Sequence, residues 1–100
     1  MDVQQTAIIV RRSSDVGEAL RSAIGLGLEN IFSTVMIIDT DLPSINEAGE
    51  LPEWLEMIDD LEGTVYSNVP ASTQAYPSIR FMDLEGLAEK INRYDLILNM

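Results

Sequence analysis

Short apolar blocks alternate along the chain with longer segments whose apolar residues recur every three or four positions. Three of the blocks, residues 6–10, 34–38 and 96–98, are continuous and mostly rich in β-branched side chains. Continuous apolar strands are typical of a parallel sheet covered on both faces, whereas a strand with one wet face alternates. Two weaker blocks, residues 64–67 and 78–82, complete a prediction of five strands.

The intervening segments show the helical repeat. The first has one apolar stripe that predicts an amphipathic helix, formed by Val16, Leu20, Ala23, Ile24, Gly27, Leu28 and Ile31. Asp15 and Glu18 have the spacing of a capping box at its start. A second helix is predicted at about residues 51–61, with Gly63 as its C-terminal cap.

A third helix is predicted to begin after Asp83, a favourable N-cap residue. Residues 70–77 are too few for a full crossover helix and hold at most one turn begun by Pro70. The predicted order is therefore β-α-β-α-β-β-α-β, in which strand, helix and strand indicate right-handed crossovers. We expect one domain over residues 1–100, a flavodoxin-like three-layer sandwich around a mostly parallel five-stranded sheet.

The composition excludes several kinds of functional site, because the chain contains no cysteine and no histidine. A disulfide framework, a zinc–cysteine site and a redox-active cysteine pair are excluded. The commonest general base and transition-metal ligand is also missing. No other catalytic constellation is recognisable, so we expect a protein that is not an enzyme and that carries no cofactor.

The net charge of −11 disfavours nucleic acids and anionic membranes as partners. The N-terminal sequence lacks the features of a signal peptide, and no apolar run has the length of a membrane span, so we expect a cytoplasmic protein. Residues 39–62 contain nine acidic residues and no lysine or arginine. This acidic segment is interpreted either as a solvated face or as a surface for a basic protein.

Two strand ends carry candidate binding residues, since ligands of open α/β sheets bind beyond the carboxyl ends of the strands. Arg11, Arg12, Ser13 and Ser14 follow the first strand and lead into a helix N-terminus. Guanidinium groups, hydroxyls and free backbone N–H groups suit an anion. The alternative is that Ser14 and Asp15 only cap the helix.

Asp39 follows the second strand, and Asp41 comes two positions later. Paired carboxylates are ligands that Mg²⁺ prefers, so a Mg²⁺-dependent hydrolase or phosphotransferase is one hypothesis. Two loop carboxylates on a solvated edge are the simpler interpretation.

The whole pattern resembles the DsrE/DsrF/DsrH-like family of small sulfur-relay proteins, to which the Tus proteins belong. The resemblance is carried by the first strand with its two arginines (residues 7–12), the helix of small residues (18–28), the second strand (35–39) and the tail (79–100). It implies a homotrimer, a hexamer or a hetero-oligomer with homologues. It also implies an active loop after the third strand, where active members carry a persulfide on cysteine.

The matching loop here holds Ser67, Asn68 and Ser72 and no cysteine. A hydroxyl cannot carry sulfane sulfur as a thiolate does. The leading hypothesis is therefore a non-catalytic DsrE-like protein, a structural or accessory subunit of an oligomer linked to intracellular sulfur metabolism. Its rivals are the anion-binding module and the Mg²⁺-dependent enzyme.

Overall fold

Five parallel strands and four helices make up the computed structural model, which describes residues 5–29, 31–40 and 50–100. In chain order they are β1 (Gln5–Val10), α1 (Ser13–Leu28), β2 (Phe32–Ile37), α2 (Leu51–Asp60), β3 (Thr64–Ser67), α3 (Pro70–Ala75), β4 (Ile79–Phe81), α4 (Leu84–Ile91) and β5 (Leu96–Asn99). All predicted strands are confirmed. Where the sequence predicted at most one turn, α3 forms a six-residue helix that begins at Pro70.

The strand order is β4-β3-β2-β1-β5. The chain steps outward from β1 to β4 and then returns to place β5 on the other side of β1. A right-handed crossover lies on the face set by the direction of its step, so α1 and α2 pack on one face and α4 on the other. The predicted flavodoxin-like three-layer architecture is confirmed. The strand order 4-3-2-1-5 differs from the 2-1-3-4-5 order of flavodoxin itself.

The first face of the sheet, which α1 and α2 cover, holds the main apolar core. Ile8 and Val10 of β1 and Leu20 of α1 are completely buried there. Burying one such side chain stabilises the fold by about 1.5–3 kcal/mol. None of the helices in the described residues combines the length and the apolarity needed to cross a membrane.

Among the described residues, α4 is the only helix that covers the second face of the sheet, and it has eight residues. Its buried apolar cluster consists of Ile9, Met36 and Leu87. The α4 helix starts as predicted, because the Asp83 carboxylate accepts a hydrogen bond of 2.8 Å from the backbone N–H of Gly86. One short helix leaves parts of this face open, and two cavities lie along it.

The end of α2 differs from the prediction by one residue. Glu62, not Gly63, adopts the left-handed backbone conformation (φ 62°), and the Gly63 N–H donates to the Ile58 carbonyl at 2.8 Å. This is the hydrogen bond of a Schellman motif. Gly63 is required for space instead, since a Cβ there would lie 2.7 Å from Cγ2 of Ile58.

Candidate functional site at the carboxyl edge of the sheet

The carboxyl ends of the strands bring together residues that are far apart in the sequence. Val10, Ile37, Ser67 and Phe81 are paired in register across β1 to β4, so the residues that follow them share one edge of the sheet. The predicted loops after β1, β2 and β3 therefore do meet, as a parallel sheet requires.

Asp39 and Asn68 form a reciprocal pair at this edge. The Asp39 N–H donates to Oδ1 of Asn68 and the Asn68 Nδ2 group donates to Oδ1 of Asp39, both at 2.8 Å. Asp39 has a φ of 54°, a left-handed conformation that Asp and Asn tolerate better than most residues. The pair fastens the turn after β2 to the loop after β3.

The predicted Mg²⁺ site is not brought together by the described residues. Asp41, its second carboxylate, lies outside them, and one oxygen of Asp39 is already held by Asn68. Within residues 5–29, 31–40 and 50–100, no group of three acidic side chains has the arrangement of a metal site.

Ser67, the last residue of β3, and Ser72, in α3, are completely buried. The Ser67 hydroxyl accepts a hydrogen bond from the Val69 N–H at 3.0 Å, and the Ser72 hydroxyl donates to the Thr40 carbonyl at 3.3 Å. Thr40 in turn donates to the Ile38 carbonyl at 3.0 Å. These hydroxyls hold the loops of the edge together rather than facing solvent.

The four predicted anion-binding residues are all exposed at the start of α1. The helix begins at Ser13, and Arg12 occupies the N-cap position with extended backbone and no side-chain capping bond. Asp15, the predicted cap, lies inside the first turn, where its charge still suits the helix dipole. Because side chains alternate along extended backbone, Arg11 shares the face of Ile9 and Arg12 projects the opposite way.

Arg11 lies at an apolar cavity of about 300 Å³ between α4 and the second face of the sheet. We call it the α4 cavity. Its apolar lining comes from β1, the end of β2 and α4: Ile9, Met36, Ile38, Leu84, Leu87, Ala88 and Ile91. The residue pattern predicts the strands and the inner helix face that carry these side chains, but it does not predict the cavity between them. The signal for the cavity in the sequence is the position of Arg11, two residues after Ile9 and so on the same face of the extended chain.

A second cavity, of about 320 Å³, opens on the same face toward the amino ends of the strands. Its lining is polar and includes Thr34, Tyr66, Lys90 and Tyr94. The Tyr94 hydroxyl donates to Oγ1 of Thr34 at 2.8 Å, and Nζ of Lys90 lies 5.5 Å from the centre of the Tyr66 ring. The second face is thus apolar at its carboxyl end and polar at its amino end.

The two edges of the sheet differ in exposure and charge. At one edge β4 has three residues and carries Arg80 at its centre. At the other edge β5 has no charged residue between Leu96 and Asn99, and Leu96 and Ile97 are 42% and 40% exposed. Charged residues and short length are common protections of an edge strand, and β5 lacks the charge.

Comparison with known proteins assigns no family to this arrangement: no protein-family model matches the chain, and no curated protein matches it significantly.

Proposed function

We propose that the protein is a non-catalytic subunit of an oligomeric assembly, in which two copies of the chain meet through β5. The observation that carries the proposal is the exposure of β5. Leu96 and Ile97 are about two-fifths exposed on opposite faces of the strand. An edge strand that is apolar on both faces and uncharged is a template for pairing with another strand.

Charge favours a second copy at β5 over a second copy elsewhere. The chain has a net charge of −11, and the outer face of α2 presents the exposed acidic residues Glu53, Glu56, Asp59 and Asp60. Two copies that met through α2 would repel each other. Pairing through β5 keeps the two acidic faces away from the contact.

An accessory role is supported by the loop after β3. Ser67 and Ser72 are buried and hydrogen-bonded to backbone groups, and the chain has no cysteine to carry sulfur. The resemblance to DsrE-like proteins extends the proposal to intracellular sulfur metabolism. In that setting this chain would supply structure, and a cysteine-bearing partner would supply the chemistry.

The test is the solution mass, measured by size-exclusion chromatography with light scattering over a range of protein concentrations. A range is needed because four paired residues bury less than the about 800 Å² per partner of a standard interface. We expect an oligomer in the parent protein and a smaller species for Ile97→Lys. The matched control is Phe81→Lys, which adds the same charge at an exposed apolar residue of the opposite edge and should leave the mass unchanged.

A parent protein that stays monomeric at tens of micromolar would refute the oligomer. An Ile97→Lys variant that keeps both its fold, by circular dichroism, and the parent mass would refute the β5 contact.

A further inference from the structure

The α4 cavity lies at the carboxyl end of the sheet, close to the position where open α/β sheets bind ligands. β1 has β2 on one side and β5 on the other. The chain leaves β1 for α1 on the first face, and it enters β5 from α4 on the second face. Neighbouring strands whose connections take opposite faces leave a crevice at their carboxyl ends, and this is the usual ligand position of such folds. The α4 cavity lies beside this crevice, over the carboxyl ends of β1 and β2 on the second face.

The lining of the α4 cavity favours a ligand whose buried part is a hydrocarbon. Among the described residues that line it, all except Arg11 are apolar, and the floor is made by Ile9 and Met36, which are 5% and 1% exposed. A volume of about 300 Å³ lies at the small end of the range for ligand cavities, about 300–1,000 Å³. The cavity therefore suits a small molecule.

Arg11 supplies the charge that such a molecule must match. Its side chain is exposed, and no carboxylate of the described residues forms an ion pair with it. A guanidinium group holds a carboxylate through two parallel N–H···O bonds. The net charge of −11 disfavours polyanions such as nucleotides near this chain, so a single negative charge fits best.

We propose that the α4 cavity binds a small monocarboxylate with an apolar body, whose carboxylate Arg11 holds at the mouth. This site is independent of the β5 contact, because neither Leu96 nor Ile97 lines the cavity. The loss of one proposal would leave the other intact.

The test is a titration with hexanoate, followed by the ¹H–¹⁵N shifts of the labelled protein, with hexanamide as the uncharged probe of equal length. We expect saturable shifts at the backbone of Ile9, Ile38 and Leu87 at millimolar hexanoate, and weaker binding of hexanamide. Arg11→Ala should weaken hexanoate binding about tenfold or more, where tenfold corresponds to about 1.4 kcal/mol, because it removes a charge-assisted hydrogen bond. Binding of hexanamide should change little.

Two variants distinguish binding in the α4 cavity from a nonspecific attraction of hexanoate to positive charge. Arg12→Ala removes the same charge from the neighbouring residue, which does not line the cavity, and should leave hexanoate binding within about twofold of the parent. Ala88→Leu should fill the cavity and weaken both probes. The proposal would be overturned by absence of saturable shifts at the cavity, by equal effects of Arg11→Ala and Arg12→Ala, or by equal affinities for hexanoate and hexanamide.

Discussion

The two faces of the sheet differ in how completely helices cover them and in how many apolar side chains they bury. The first face is closed by two helices over a continuous core in which Ile8, Leu20 and Ile37 have no exposed surface. In the part of the chain that the structure describes, the second face has one short helix, a cluster of three buried apolar residues, and cavities at both ends. The difference teaches that stability is concentrated on the first face, while the open second face has room for a ligand.

The largest expected effect tests this division of stability. Leu20→Ala on the first face should lower the free energy of unfolding by about 3–5 kcal/mol, because the closed core cannot collapse around the space left. Leu87→Ala on the second face should cost about 2 kcal/mol, since the half-buried neighbours beside the α4 cavity can relax and solvent can enter. Urea unfolding of both variants measures the difference. Equal losses would contradict the comparison.

A smaller effect tests how tightly α1 and α2 pack above the first face. A Cβ on Gly27 would lie 2.9 Å from Cβ of Leu61, whereas a Cβ on Gly25 would meet no atom within 4 Å. Gly27→Ala should therefore destabilise the protein by about 1 kcal/mol, because the steric cost exceeds the gain in helix propensity. Gly25→Ala should stabilise it by about 0.5–1 kcal/mol. Thermal unfolding of the pair gives the two signs, and a gain in both would show that the contact yields easily.

The smallest effect concerns the polar end of the second face. Tyr94→Phe removes the part-buried hydrogen bond of 2.8 Å to Thr34, and we expect a loss of about 0.5 kcal/mol. A double-mutant cycle with Thr34→Val isolates the pair from the effects of each substitution alone. A coupling energy near zero would mean that this hydrogen bond does not help to hold the chain after α4 against the sheet.

Prediction from the sequence succeeded where local patterns decide the structure. The buried strands, the apolar stripe of α1 and the N-cap of α4 at Asp83 all follow from residue type and period. It was wrong by three residues at the start of α1, where Arg12 and not Asp15 is the N-cap, and by one residue at the end of α2, where Glu62 and not Gly63 has the left-handed conformation. It also underestimated α3, a short helix that includes the completely buried Ser72 and is supported by tertiary contacts.

The candidate site shows the same limit. Ser67, Asn68 and Asp39 were recognised as residues at strand ends, but the reciprocal bonds between Asp39 and Asn68 cross 29 positions of the chain. The predicted group of Arg11, Arg12, Ser13 and Ser14 treated neighbours in sequence as neighbours in space. Extended backbone at Arg12 instead separates the two arginine side chains.

The sequence by itself determined the layers of this protein, because the period of apolar residues decides which side chains each strand and helix can bury. It also determined the absence of thiol and imidazole chemistry in this chain. Only the tertiary structure decided that β5 is the edge strand beside β1 and that Arg11 lines an apolar cavity. The physical reason is the distance along the chain over which each feature is decided. The period of apolar residues is a property of one helix or strand, whereas strand order depends on crossovers that bring together elements far apart in the sequence.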